Sequence, residues 1–246
     1  MDNYCINGLD LLSMLENGAK NLAMDVDRIN SLNVFPVPDG DTGTNMRMTI
    51  EGGVREGQAL QEKSISKISK AMARAMVLSA RGNSGVILSQ FFKGLSLGLE
   101  GYDDVDIKAF ASAMVSGTNR AYSVVSNPTE GTILTVMREA GQNALDKMTK
   151  NVSLEDYLIR YLAEAHESLK KTPELLPILK KAGVIDSGGA GFVLIVEGML
   201  RAVNGDILEA KENTNSVSKP DISGFTADSE LTYGYCTEFI LSLIHI

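Results

Sequence analysis

The chain has 246 residues and a formal net charge of −8 at pH 7, which argues against a basic surface for nucleic acid or for anionic lipid. Hydrophobic residues make up 44% and charged residues 22% of the chain, and the absence of Trp with only 6% aromatic residues favours a helical core over a β-sandwich. Cys5 and Cys236 match no zinc or redox spacing, and neither a signal peptide nor an apolar run of ~18 residues is evident, so the sequence predicts a soluble cytoplasmic protein without stable membrane insertion.

Apolar residues recur at helical spacing through most of the chain. One amphipathic stripe runs from Leu15 to Ile29, and similar stripes occupy residues 133–144 and 154–169. Further helices are predicted at Lys67–Ser79, Val86–Leu97, Asp106–Val124 and Gly191–Val203. No strand pattern competes before about residue 205, so residues 1–206 are predicted to form an all-α domain.

The breaks between these helices carry turn residues. They lie at Pro36 and Pro38, Gly82–Gly85, Asn127-Pro128, Thr172-Pro173 and Ser187–Gly189. After the helical domain, residues 207–228 are polar and aperiodic and are predicted to be a linker. Residues 229–246 include β-forming residues in partial alternation, and we interpret them as the truncated start of a second, β-containing domain.

The loop from Asn33 to Asn45 contains the strongest candidate for chemistry. Asp39 and Asp41 are separated by one glycine, so their carboxylates can converge on hard cations such as Mg²⁺. Thr42 and Thr44 are expected to cap the helix that follows, whose N-terminus would face bound phosphates. The alternative is a simple surface turn. An EF-hand is excluded because Gly and Glu are missing from the positions that its loop requires.

Three other glycine-bearing loops are candidates for anion binding. They are Ala80–Gly85, Glu130–Thr132 and Asp186–Gly191. Each is explained equally well by ordinary helix caps, and no P-loop motif is present in the chain. The two histidines, His166 and His245, give little support to a histidine-centred hydrolase or a zinc site.

Taken in order, these motifs resemble the catalytic, ATP-binding subunit of bacterial fatty acid kinase. The matching segments are Asn33–Asn45, Ala80–Gln90, Glu130–Thr135 and Val184–Gly191. The N-terminal domain of that subunit is similar to the nucleotide-binding subunit of dihydroxyacetone kinase. The resemblance covers about the first two hundred residues. It implies a barrel of about eight antiparallel amphipathic helices, with nucleotide and a magnesium pair at one end.

The resemblance also assigns roles to particular residues. Asp39 and Asp41 correspond to the metal ligands and catalytic residues, with Asn33 as the nearest equivalent of a third aspartate found in the dihydroxyacetone kinases. The residues that correspond to the nucleotide and phosphate site are Thr42, Thr44, Asn45, Asn83, Ser84, Gly85, Gly131, Thr132, Asp186 and Gly188.

The implied activity is transfer of the γ-phosphoryl group of ATP to a fatty acid carboxylate, which yields an acyl phosphate for phospholipid synthesis. The resemblance implies that a separate fatty-acid-binding carrier protein presents the substrate. A carboxylate is already a competent nucleophile at neutral pH, so magnesium and N–H donors suffice for catalysis. Two alternatives stay open: a dihydroxyacetone kinase nucleotide-binding subunit, and a non-catalytic module that senses nucleotide. The oligomeric state is also open, with a homodimer as one possibility.

Overall fold

A computed structural model describes residues 4–149 and 151–209 of the chain. Most of the predicted linker 207–228 and the whole of the predicted second-domain segment 229–246 lie outside these residues. Within the described part, Leu208 is buried, and its N–H donates to the Asn17 side-chain oxygen at 2.7 Å. The same amide side chain donates to the Asp206 carbonyl at 3.0 Å, so Asn17 fixes the exit from the last helix.

Ten helices and two short strands make up the described residues. The helices are α1 (Gly8–Met24), α2 (Val26–Ser31), α3 (Thr42–Leu60), α4 (Ile65–Ser79), α5 (Gly82–Gly98), α6 (Ile107–Val124), α7 (Ile133–Asp146), α8 (Leu154–Leu175), α9 (Pro177–Ala182) and α10 (Ser187–Val203). The strands are β1 (Cys5–Asn7) and β2 (Asp104–Asp106), paired antiparallel with Ile6 opposite Val105.

The eight long helices form a closed ring, which confirms the predicted all-α barrel. Contacts run from α1 to α3 and on through α4, α5, α6 and α7 to α8, and then through α10 back to α1. Neighbours are antiparallel: Gly52 of α3 faces Ser79 at the end of α4, and Gly98 at the end of α5 faces Ala113 of α6. As a result, every second helix of the ring begins at the same end of the barrel.

Close approach of α1 and α10 closes the ring. A Cβ at Gly18 would lie only 2.7 Å from the carbonyl oxygen of Ile195, so no larger residue fits there. The Asn17 side-chain amide donates to the Gly198 carbonyl at 2.8 Å across this contact. Further inside, Phe192 of α10 lies edge-on against Phe91 of α5, with ring centroids 5.1 Å apart. Helix α10 therefore packs against the far side of the barrel as well as against α1.

Several expectations from the sequence are corrected by the structure. The stripe from Leu15 to Ile29 is two helices, broken at Asp25. Pro173 does not end a helix but lies inside α8, because the buried stripe continues through Thr172 and the helix ends only at Leu175. The ladder of β1 and β2 was not expected before residue 205, because three-residue strands are too short to show alternation.

The loops predicted at Gly82–Gly85 and Ser187–Gly189 are also corrected, because these residues form the first turns of α5 and α10. The predicted helices begin at Val86 and Gly191, four residues after the observed starts, because glycine has a low helix propensity. Across residues 4–149 and 151–209, no helix combines the length and the apolar character needed to cross a membrane.

Candidate functional site

Four helices begin at one end of the barrel, and side chains connect their first turns. The hydroxyl of Ser84, in the first turn of α5, donates to the carbonyl oxygen of Thr42 at 3.4 Å. The hydroxyl of Ser187, the first residue of α10, donates to the Thr42 hydroxyl at 3.3 Å. The starts of α3, α5 and α10 are thus adjacent, and Asp186 extends the group to α7 through the N–H of Ile133. Helix N-termini carry unpaired N–H groups and partial positive charge, so a helix start at this end can bind an anion where its N–H groups are not already capped.

The acidic loop leads into α3 at this same end. Asn33 is buried, and its side-chain N–H donates to the Asp39 carboxylate at 2.6 Å, while Asp39 itself is exposed. The carboxyl groups of Asp39 and Asp41 lie within hydrogen-bond reach of each other. Burial raises the pKa of Asp41, and the neighbouring Asp39 raises it further, although a hydrogen bond from Asn45 opposes this.

This donor set suits a hard cation. Two adjacent carboxylates repel each other, and a divalent ion between them removes that repulsion. The Asn33 amide can add a neutral oxygen, because its nitrogen is the atom engaged with Asp39. In the described residues no group of three or more His, Cys, Asp and Glu side chains is placed to hold a metal. A metal here would therefore rely on the two aspartates, amide oxygen, water and phosphate.

The first turn of α3 is capped from outside, which corrects the expectation for Thr42 and Thr44. Asp41 occupies the N-cap position without a side-chain cap, and the acceptor is Asn30 of α2. Its side-chain oxygen accepts the N–H groups of Gly43 at 2.8 Å and Thr44 at 3.2 Å, and its nitrogen donates to the Thr44 hydroxyl at 3.0 Å. Two of the amides that were expected to face phosphate are thus already paired.

The first turn of α5 differs because no side chain caps it. Arg81 occupies its N-cap position, Asn83 is exposed, and Ser84 is partly buried. Gly82 has φ +56° and lies so close to Asn45 that an added Cβ would be 2.4 Å from the Asn45 amide nitrogen. Gly85 is buried as well, and a Cβ added there would lie 2.6 Å from the Thr49 hydroxyl oxygen. The glycines let α5 begin directly beside the acidic loop.

The Gly131–Thr132 turn precedes α7 on the other side of the site. Gly131 has φ +80°, and a Cβ there would lie 2.9 Å from both the Thr172 carbonyl oxygen and the Leu176 Cβ atom. Thr132 is the N-cap residue of α7, but its hydroxyl donates to the Thr129 carbonyl at 2.7 Å and caps no N–H. The turn is therefore held tightly against the end of α8.

Asp186 lies behind the site, with 5% of its surface exposed. Its carboxylate accepts the Gly189 N–H at 2.7 Å and caps α10, and the Ile133 N–H is its second backbone donor. Burial raises the pKa of Asp186 to about 6, although both backbone hydrogen bonds lower it. Gly188 is also buried, and a Cβ there would lie 3.2 Å from the Ile133 Cβ atom. This carboxylate joins the starts of α7 and α10 from the interior.

Two residues at this end, Asn30 and Ser187, are not predicted by the sequence patterns. Asn30 caps a helix that begins twelve positions later, so no capping pattern of short spacing reveals it. Ser187 follows the motif aspartate directly, but its contact with Thr42 depends on the packing of α10 against α3. The structure brings Asn33, Asp39, Asp41, Thr42, Asn45 and Ser84 together, with Gly131, Thr132, Asp186 and Gly188 at the starts of α7 and α10.

The fold and this end together define a class: a helical barrel whose polar site is built from helix N-termini and an acidic loop. A DAK2 domain is matched over residues 36–201, and the chain belongs to that family. It is 40% identical over 241 residues to an uncharacterized protein of Staphylococcus epidermidis and 39% identical to one of Staphylococcus aureus. Each alignment covers 96% of this chain and 44% of the relative, so the chain spans less than half the length of these relatives.

Solved structures show the same fold. The dihydroxyacetone kinase of C. freundii in complex with AMP-PNP and Mg²⁺ superposes with a TM-score of 0.61 at 17% identity, covering 78% of this chain and 34% of that one. Its native form superposes with a TM-score of 0.55 at 19% identity over the same shares of the two chains. The barrel is thus shared at low sequence identity.

Proposed function

We propose that this chain binds ATP with magnesium and transfers the γ-phosphoryl group to the carboxylate of a fatty acid. The observation that supports this best is the Asp39–Asp41 carboxylate pair, which lies at the end of the barrel where four helices begin. A carboxylate pair suits cations, and helix starts suit phosphates, so one end offers both kinds of partner that MgATP requires. The match of a DAK2 domain is consistent with this proposal.

Asp39, Asp41 and the side-chain oxygen of Asn33 are the proposed ligands of two magnesium ions. Magnesium held by these residues would neutralise charge on the phosphates and orient them for transfer. Asn33 also holds Asp39 through its nitrogen, so the amide orients one carboxylate while its oxygen is free to face the metal. Asn45 forms a side-chain hydrogen bond to the Asp41 carboxylate and so helps to orient it.

We assign the phosphates to the start of α5, because Asn30 already pairs two amides at the start of α3. Asn83, Ser84 and Gly85 supply the uncapped turn. The groups from α3 are Thr42, Thr44 and Asn45, which border the acidic loop. Gly131, Thr132 and Gly188 form the opposite wall of the proposed nucleotide site, and Asp186 supports that wall from the interior rather than touching solvent.

The acceptor is proposed to be a fatty acid carboxylate held by a separate carrier protein. A carboxylate oxygen forms a bond to the γ-phosphorus while the bond to the oxygen that bridges the β- and γ-phosphates breaks, giving acyl phosphate and ADP. No proton leaves the nucleophile, so no general base is needed. This agrees with a site whose proposed residues include no His; His166 instead pairs with Glu197 at 3.1 Å, on α8 and α10.

A second candidate acceptor is dihydroxyacetone, which the shared fold with dihydroxyacetone kinase suggests. A hydroxyl acceptor must lose a proton during transfer, and one of the two aspartates would have to take it in the absence of His. A nucleotide sensor without transfer activity is the remaining alternative. Incubation with ATP and either carrier-bound fatty acid or dihydroxyacetone separates the three, because acyl phosphate is trapped by hydroxylamine and dihydroxyacetone phosphate is not.

The first test is calorimetric titration of ATP into the chain, with Mg²⁺ and with EDTA. The Asp39→Asn plus Asp41→Asn variant removes two charges without changing side-chain shape. Asp103→Asn plus Asp104→Asn is the matched control, because both residues are exposed. Asp103 accepts the Ile65 N–H, at the first residue of α4, through its backbone carbonyl, so a change of its side chain leaves this bond in place. Magnesium-dependent binding that is lost only in the first variant supports the proposal. Absence of binding by folded wild-type protein overturns it.

A further inference from the structure

Glu130 lies one residue before the Gly131–Thr132 turn and receives three side-chain hydrogen bonds. The hydroxyl of Tyr122 donates to one carboxylate oxygen at 3.0 Å. The Thr135 hydroxyl and the Arg138 guanidinium donate to the other, at 2.6 and 2.7 Å. Partial burial would raise the pKa of Glu130, but these donors outweigh it, and the pKa is lowered. Glu130 is therefore ionised at neutral pH and acts only as an acceptor.

This carboxylate fixes the direction of the Thr135 hydroxyl. Thr135 is fully buried, and its oxygen accepts the backbone N–H of Gly131 at 2.8 Å. A hydroxyl has one proton, and the ionised Glu130 can only accept it, so the lone pairs of Thr135 remain for Gly131. Glu130 thus acts on the Gly131 backbone through Thr135.

The turn is held from a second side as well. Gly131 lies against the end of α8, where a Cβ would be 2.9 Å from the Thr172 carbonyl oxygen. Two residues further on, the Ile133 N–H faces the Asp186 carboxylate. The backbone of residues 131–133 is therefore fixed by Thr135 at its beginning and by Asp186 at its end.

We infer that Glu130 is a positioning residue, which holds the Gly131–Thr132 backbone in the conformation that the bound nucleotide requires. This rests on the proposed function, in which that turn is a wall of the nucleotide site. A role in global stability alone is a weaker explanation, because the Glu130 and Arg138 side chains are 48% and 47% exposed. Ion pairs exposed to this degree contribute little to the free energy of unfolding.

The test compares two pairs of variants by calorimetry with MgATP and by binding of Mn²⁺ without nucleotide. Glu130→Ala and Thr135→Val break the link to Gly131, and we expect each to weaken MgATP binding about tenfold, the size of one hydrogen bond to a charged group. Thr135→Ser keeps the hydroxyl and should bind as the wild type does. Glu130→Gln should be intermediate, since an amide oxygen still accepts but carries no charge. Mn²⁺ binding should not change in any of them.

A matched control is Asp206→Ala, which breaks another exposed carboxylate–arginine pair, to Arg201 at 2.7 Å. It should leave MgATP binding unchanged. Wild-type binding that persists in Glu130→Ala and Thr135→Val would overturn the inference and leave the proposed function standing. Equal weakening of Mn²⁺ binding, or of the control, would also overturn it, because it indicates general damage. No MgATP binding by the folded wild type overturns both proposals together.

Discussion

The hydroxyl of Ser187 lies 3.3 Å from the hydroxyl of Thr42, although 145 positions separate them in the sequence. Both residues are buried, and each is the first residue of its helix. The contact therefore aligns the starts of α10 and α3 and, through the Ser84–Thr42 bond, the start of α5.

Replacement of Ser187 by Ala tests this bond. The change leaves the buried Thr42 hydroxyl without its donor, so we expect the free energy of unfolding to fall by about 1 kcal/mol and MgATP binding to weaken severalfold. Urea unfolding and calorimetry measure the two effects. Ser112→Ala removes an exposed helix hydroxyl and should change neither. An unchanged affinity for MgATP in Ser187→Ala would show that the contact does not position the site.

We expect the capping interaction of Asn30 to stabilise the first turn of α3. Asn30→Ala removes the acceptor for the Gly43 and Thr44 amides, and loss of such a cap costs about 1 kcal/mol in the free energy of unfolding. Asn30→Asp keeps an acceptor but loses the donor to the Thr44 hydroxyl, so it should be milder. Chemical denaturation of the two variants gives the comparison. A larger loss in Asn30→Asp than in Asn30→Ala would contradict the capping role.

Substitution of two glycines by alanine should distinguish the cost of backbone strain from the cost of a steric clash. Gly131 and Gly183 have similar positive φ values, +80° and +70°, but only Gly131 has atoms within 4 Å of an added Cβ. Gly183→Ala should cost about 1 kcal/mol through backbone strain alone. Gly131→Ala adds the clash with Thr172 and Leu176 and should cost about 1–3 kcal/mol more. Equal losses in the two variants, measured by thermal or urea unfolding, would show that the turn at Gly131 has room to relax.

Asp186 predicts a pH dependence of stability. Its pKa is raised from 3.8 to about 6 in the folded protein, so the native state binds more protons than the unfolded state between these values. The contribution of Asp186 to the free energy of unfolding therefore falls as pH rises from about 4 to 6, by roughly 3 kcal/mol in total. Above about pH 6 this contribution is constant.

Asp186→Asn removes this titration but keeps an oxygen for the Gly189 N–H. The free energy of unfolding of Asp186→Asn should therefore increase relative to that of the wild type as pH rises from 4.5 to 7. Urea unfolding at several pH values measures that difference, in which the titration of other groups cancels. Parallel stability curves would mean that the Asp186 pKa is not raised.

Much of the helical architecture follows from the spacing of apolar residues. The stripe at Leu154, Leu158, Leu162 and Leu169 predicts α8, and all four side chains are buried in the structure. Local patterns were less successful where a special residue has a tertiary role. A break is predicted at Pro173, yet α8 continues through this residue. Gly82 and Gly188 predict loops, yet both lie in the first turns of helices and allow these helices to begin close to one another.

The kinds of groups at the candidate site are visible in the amino-acid sequence: two carboxylates one glycine apart, and polar residues with glycine before helices. These depend on short spacing, which is visible in one stretch of chain. Which helix starts meet depends on how the helices pack in three dimensions. The antiparallel ring puts every second helix start at one end, so that Thr42, Ser84 and Ser187 come into contact. Contacts of this kind depend on the packing of whole helices, and no local pattern encodes them.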